Sequence, residues 1–223
     1  MAERLLYVVV ISVVFVLVAC SSQEDGYSGT KLTSQSHATE FELANQLGER
    51  VRLSDYQGKV VALTFLYTNC LDVCTVVAGQ IRRASEILRD VSEDVEFIVI
   101  SVDPERDSIE QAYIFSQRWE MIDEWDFLVG TREELSPIWK AYFLDPALHR
   151  RTDVNSGSDE ESAQSQEVRP KGVSALRQDI ENQYLVVHST PVYIIDRQGV
   201  ARVVFTSPFS VEALVHDIEV LVD

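Results

Sequence analysis

Residues 60–67 read VVALTFLY, and this run limits the fold more than any other stretch of the chain. A strand with one wet face alternates apolar and polar side chains, whereas here Thr64 is the single polar one. The β-branched and aromatic content predicts a strand covered on both faces, which needs helices packed over it. The chain supplies them. AGQIRRASEILRDV follows closely, with Ile81, Ala84, Ile87 and Leu88 at helical spacing. VEFIVISVD then predicts a second buried strand.

Beyond it, Ser108 opens a helix with Gln111 at the capping-box distance, and a short strand is expected at 125–129. Thr131 and Glu134 form another capping box, at the start of a helix ending near Phe143. TPVYIIDRQGVARVVF predicts a hairpin turning at 196–199, and 211–222 a terminal amphipathic helix. Upstream, Phe41, Leu43, Val51 and Leu53 mark two short strands around a glycine-containing turn. Strands alternating with helices, then a closing hairpin and helix, predict an α/β domain. Its mixed central sheet is flanked by helices and preceded by an N-terminal strand pair. A chain of 223 residues suits one such domain with extensions.

Two segments fall outside this pattern. Between Phe143 and Tyr184, RTDVNSGSDEESAQSQEV is Ser-rich, acidic and aperiodic. Compact domains seldom keep loops beyond about 12–15 residues, so 153–166 is expected to be a mobile acidic insertion. At the other end, MAERLLYVVVISVVFVLVAC carries an apolar run over 5–19. That is shorter than the roughly 20 residues of a spanning helix and fits an export signal, the alternative being an uncleaved anchor. Its end, LVAC, resembles the lipobox of bacterial lipoproteins, in which the signal is removed and the cysteine carries lipid. The expectation is a lipoprotein signal at 1–19, a lipidated Cys20, a polar flexible tether at 20–37 and a folded domain at 38–223. That domain would lie outside the cytoplasm, tethered to a bacterial membrane. A net charge of −17 leaves no basic excess to meet phosphates and excludes nucleic acid as a partner class.

Cys70 and Cys74 sit where the buried strand ends and a helix begins, the crevice where open α/β sheets place ligands. A helix N-terminus favours the thiolate, the form that attacks disulfides and binds metals. Residues i and i+4 share a face, so both sulfurs can reach one point. A structural disulfide would close a loop of only a few residues and stabilise little. Thioredoxin-type chemistry uses C-x-x-C, and here three residues intervene. The peroxidatic P-x-x-x-T-x-x-C fails at both cysteines, because Tyr67 and Leu71 stand where threonine is needed. His188 ends the apolar YLVV run just before the hairpin, where a neighbouring sheet element could bring it beside the cysteines. His37, His149 and His216 read as surface or core histidines. Two thiolates and one imidazole form a soft, three-coordinate set. Zinc wants a fourth ligand, whereas such a set suits Cu(I) and its nitrogen admits Cu(II).

FELANQLGERVRLSDYQGKVVALTFLYTNCLDVC, SVDPERDS and HSTPVYIIDRQG, in that order, resemble the Sco/SenC family of copper-binding proteins. The likeness runs from about Phe41 to the C-terminus, apart from the acidic insertion. It implies a thioredoxin-like fold and one copper ion, Cu(I) or Cu(II), on Cys70, Cys74 and His188. It further implies service to the CuA centre of cytochrome c oxidase, with subunit II as partner and an upstream donor the sequence does not identify. Asp72 and Asp103 fall on family positions and are candidates for supporting the ligands. Two features depart from or qualify the pattern. Family members commonly have proline after each cysteine, where this chain has Leu71 and Thr75. Thr190-Pro191 resembles the cis-proline step of thioredoxin-fold redox enzymes, the alternative being that Pro191 starts an edge strand. Three readings follow: a copper chaperone, a thiol–disulfide oxidoreductase reducing the CuA-site cysteines, and a sensor of copper or thiol state. Cys70 and Cys74 would be the catalytic pair in the second.

Overall fold

Strand β4 (Val60–Leu66) is buried at all seven positions, as a strand covered on both faces must be. The computed structural model describes residues 26–34, 36–70, 72–144, 146–150 and 184–223. The expected signal, Cys20 and the acidic insertion at 153–166 lie outside them. On one side β4 pairs in parallel with β5 (Val95–Ser101), which pairs in parallel with β6 (Asp126–Leu128). On the other it pairs antiparallel with β9 (Val192–Ile195), which pairs with β10 (Ala201–Phe205), and β10 with β1 (Thr30–Lys31). The six-stranded order is β1-β10-β9-β4-β5-β6. A separate pair, β2 (Glu42–Ala44) and β3 (Arg50–Arg52), turns through Gly48, whose φ of 82° favours a residue without Cβ.

Among the described residues four helices flank the sheet: α1 (Val73–Ile87), α2 (Ile109–Trp119), α3 (Arg132–Ala141) and α4 (Val211–Val222). Helix α1 packs against both α2 and α4. It buries Cys74, Val77, Ala78, Ile81 and Ala84, but Ile87 is exposed, contrary to the spacing. The α-helix gives way to a tighter 3-10 turn at Leu88–Asp94, which carries Leu88 inward and leaves Ile87 at the rim. Ser108 accepts the Gln111 amide at 3.2 Å, and Thr131 and Glu134 cap each other reciprocally. The hairpin turn is held by Asp196, whose Oδ1 accepts the amides of Gln198 and Val200 at 2.9 and 2.8 Å.

Two features were not anticipated. A second ladder joins β7 (Ala147–Arg150) to β8 (Tyr184–Val187), so paired strands frame the acidic insertion. Ordered structure also reaches upstream of residue 38. β1 joins the main sheet, His37 bridges Val200, and the amides of Ser28 and Gly29 donate to the buried carboxylate of Asp217 at 2.7 and 2.9 Å. Among the described residues no helix is long and apolar enough to cross a membrane.

Candidate metal centre

The cysteine loop leaves the C-terminal end of β4. Asp107 anchors its start: Oδ1 accepts the Thr68 amide at 3.0 Å and the Thr68 hydroxyl at 2.6 Å, and Oδ2 accepts the Ser101 hydroxyl at 2.5 Å. This buried carboxyl ties the loop to the end of β5. Asp107 belongs to SVDPERDS but adjoins the Ser108 cap and reads as ordinary helix-entry acid, so sequence reasoning passed over it.

Burial pushes the Asp107 carboxyl up to about 6, with the Ser101 and Thr68 hydrogen bonds pulling the other way. A folded value above the unfolded one means that the native state binds the extra proton. Asp107 therefore subtracts stability as pH rises from about 4 to about 6. Asp107→Asn should abolish that slope, so that the parent-minus-variant difference in unfolding free energy falls by about 3 kcal/mol across the window. Urea melts of both proteins at pH 4, 5, 6 and 7 would check it, and parallel profiles would refute it.

Cys70 lies in the loop and Cys74 in the first turn of α1; both are buried and not bridged to each other. The Cys74 amide donates to the Cys70 sulfur at 3.4 Å. A hydrogen bond from the Cys74 thiol is the largest cause drawing the Cys70 thiol down to about 6; burial opposes it, and the Asp72 and Cys74 amides and the Tyr67 hydroxyl assist. Cys74 is pushed the opposite way, first by donating that bond, then by burial and by the charge on Cys70. The pair holds one proton tightly and releases the other early.

Asp72 contributes through its backbone. Its amide supports the Cys70 sulfur, and its carbonyl accepts the Thr75 amide at 3.0 Å and the Thr75 hydroxyl at 2.6 Å. Its carboxylate makes no capping hydrogen bond. Thr75, where the family commonly has proline, thus braces the loop by a hydroxyl. Asp103 is fully buried and pairs with Arg106, whose guanidinium carbon lies 5.7 Å from the Tyr67 ring centroid.

His188 arrives from the far end of the chain because β9 runs antiparallel to β4. Thr64 pairs with Val192, so the residues before β9 stand where β4 ends. His188 Nδ1 meets the Ser189 carbonyl at 2.6 Å, which makes Nδ1 the protonated nitrogen and leaves the lone pair on Nε2. Nε2 is fully buried and has no hydrogen-bond partner. Burial lowers the imidazole's basicity, opposed by the Ser189 bond. The ring packs edge-on against Tyr67, centroids 5.8 Å apart. The structure thus brings the two thiols together and sets His188 beside them across Tyr67. Among the described residues no three His, Cys, Asp or Glu side chains converge closely enough to hold a metal ion. His37 sits at its bridge with Val200, and His216 Nε2 meets the Gly26 carbonyl at 2.9 Å, both away from the cysteines.

One expectation is corrected. The Thr190–Pro191 bond is trans; among the described residues the cis bond is Ser207–Pro208. Pro191 does not begin an edge strand either. Its carbonyl accepts the Thr64 hydroxyl at 2.8 Å, and β9 lies between β10 and β4.

The SCO1/SenC family model matches residues 29–223. The chain belongs to the SCO1/SenC family. The SCO1 protein homolog of Bacillus subtilis is 34% identical over 91 residues, 40% of this chain and 47% of that protein. The chain thus spans about half the length of that curated relative. The solution structure of apo Sco1 from Thermus thermophilus matches at TM-score 0.65 and 25% identity, covering 90% of this chain and 99% of that one. Arabidopsis thaliana ScoI with copper bound matches at TM-score 0.63 and 22% identity, covering 83% and 98%. The fold of this SCO1/SenC protein is therefore the Sco thioredoxin-like fold.

Proposed function

We propose that this SCO1/SenC protein is a membrane-tethered carrier of copper that serves assembly of the CuA centre of cytochrome c oxidase, with subunit II as acceptor. One observation carries the reading: a buried pair of thiols, the Cys74 amide on the Cys70 sulfur, stands at the end of β4 to which β9 also brings a histidine whose buried Nε2 has no hydrogen-bond partner. An unpaired buried acceptor costs free energy that a bound ion would recover. Copper is the cargo. Cys70 and Cys74 would take it as thiolates and His188 through Nε2, a soft set suited to Cu(I) with a nitrogen that admits Cu(II). Convergence requires displacement of the cysteine loop or the imidazole. The lipobox-like LVAC at 17–20 supports lipid attachment at Cys20 and a place outside the cytoplasm of a bacterial cell.

Titrating the reduced protein with Cu(II) tests the ligand set. His188→Ala is expected to weaken binding about 10²-fold and to shift the sulfur-to-copper charge-transfer band, as loss of one donor of three demands. A variant matching the parent in both would refute the assignment.

A second reading has its own support, the opposed protonation of the two thiols. The Cys70 thiolate would attack the disulfide of an oxidised acceptor, and Cys74, once deprotonated, would resolve the mixed disulfide. The carrier's pair would end oxidised and the acceptor's pair reduced, a two-electron exchange. Trapping a mixed disulfide between a Cys74→Ser variant and an oxidised subunit II fragment would favour it. Copper transfer without any trapped adduct would eliminate it.

A further inference from the structure

The stretch expected to be a polar tether, 20–37, is fastened to the domain over 26–34, by contacts that run along β10 and α4. The amides of Ser28 and Gly29 donate one to each oxygen of the fully buried Asp217 carboxylate. Its neighbour His216 donates from Nε2 to the Gly26 carbonyl at 2.9 Å. Tyr27 packs against the core. Gly29 passes so close to β10 that a Cβ there would meet Val203 Cγ1 at 2.5 Å and the Phe205 ring at 2.9 Å. β1 then pairs with β10, and the Leu32 and Ala38 amides donate to the Arg202 and Gly199 carbonyls, both at 2.8 Å. A buried carboxylate needs donors, and Asp217 takes two from this arm, which makes the arm part of the fold.

We propose that residues 26–31 are a strap that decides which side of the domain meets the membrane: the surface formed by β1, β10 and α4 faces the bilayer. This rests on the membrane-tether reading, and holds whether the attachment is lipid on Cys20 or an uncleaved apolar run ending there. Lengths decide it. A chain spans at most about 3.3–3.6 Å per residue, so the six steps from Cys20 to Gly26 reach roughly 21 Å, whereas a free arm to Ala38 would reach roughly 60 Å. A domain of this size measures roughly 40 Å across. A leash of half that width keeps the edge it is fastened to nearest the bilayer. One longer than the width would let any face turn inward. The far edge is β6, five strand spacings from β1 or roughly 24 Å. The metal centre, at the end of β4, lies between the two edges and is held near the bilayer, where an acceptor fixed in the same membrane can be met.

The full chain, methyl-labelled and reconstituted in phosphatidylcholine nanodiscs whose headgroups carry a gadolinium chelate, tests this. Methyl resonances of Val204 and Ala213 should lose intensity, while those of Leu128 and Val129 at the β6 edge keep theirs. Two variants release the strap. Gly29→Ala drives it off β10 by the clash described, and Asp217→Asn turns one of the two acceptor oxygens into a donor. In the parent the amides at 28 and 29 should be protected from hydrogen exchange. In both variants that protection should be lost and the contrast between the two edges should fade. Equal broadening of both edges in the parent, or a contrast that survives release of the strap, would overturn the proposal. Amides at 28 and 29 that exchange freely in the parent would overturn the strap itself. A chain that does not associate with the nanodiscs would overturn the tether reading and the near edge with it, and the exchange data tell that failure from failure of the strap.

Discussion

Cu(I) affinity is expected to fall by about two to three orders of magnitude when either Cys70 or Cys74 becomes serine. Thiolate-rich metal sites of four ligands bind with roughly 10–16 kcal/mol, or about 2.5–4 kcal/mol per donor, and each 1.4 kcal/mol is a factor of about ten. Serine cannot supply that. Its hydroxyl stays protonated at neutral pH and its oxygen is a hard donor for a soft ion. The two variants should lose affinity to a similar degree because both sulfurs are buried at the head of α1, joined through the Cys74 amide on the Cys70 sulfur. Competition with a Cu(I)-specific chelator would measure the loss. A decrease of less than tenfold for either cysteine would remove it from the ligand set.

The second large effect needs no metal. In the reduced protein the first thiolate should appear with a midpoint near 6, read as thiolate absorbance in the near ultraviolet. Cys74→Ala deletes the hydrogen bond that does most to draw Cys70 down, so the midpoint should climb toward the ordinary thiol range near 8.5. At pH 7 the ionised fraction would drop from about nine-tenths to a few per cent. The stability sign follows. Because the folded value of Cys70 lies below its unfolded one, the group adds stability as pH rises from about 6 to about 9, and the gain is absent below 6. Cys74, displaced the other way, works against the fold above about 9. A midpoint unchanged by Cys74→Ala would mean that the helix amides, not the neighbouring thiol, ionise Cys70.

What could be read before folding was what depends on neighbours in the chain. The unbroken apolar run of β4, the caps at Ser108 and Thr131 and the turn at Asp196 carry their instructions locally, and each formed as expected. Pairing choices between distant segments were harder. YLVV reads as an apolar run, but its partner Ala147–Arg150 is four residues long, too short for alternation to register. Nothing in VYII says that it will enter between β10 and β4. The centre divides along the same line. Cys70 and Cys74 announce themselves by type and spacing. His188 was picked out by its place before the hairpin, and the antiparallel run of β9 explains why that place is at the rim. Asp107 gave no signal, because an aspartate before a capping serine reads as solvation. Its role exists only once β4 and β5 are side by side.

The antiparallel entry of β9 has a consequence for how such a carrier would report its load. Cys74 and His188 are 114 positions apart and stand at the same end of the sheet because β9 runs antiparallel to β4. An ion spanning them is a removable cross-link over more than half of the polypeptide, and constraints that close long loops restrict the unfolded ensemble most. The loaded protein would resist heat and proteases more than the empty one, by an amount set by free copper relative to its dissociation constant. Handing over the ion would then loosen the molecule as well as empty it, and a cell could tell spent carriers from charged ones by durability alone.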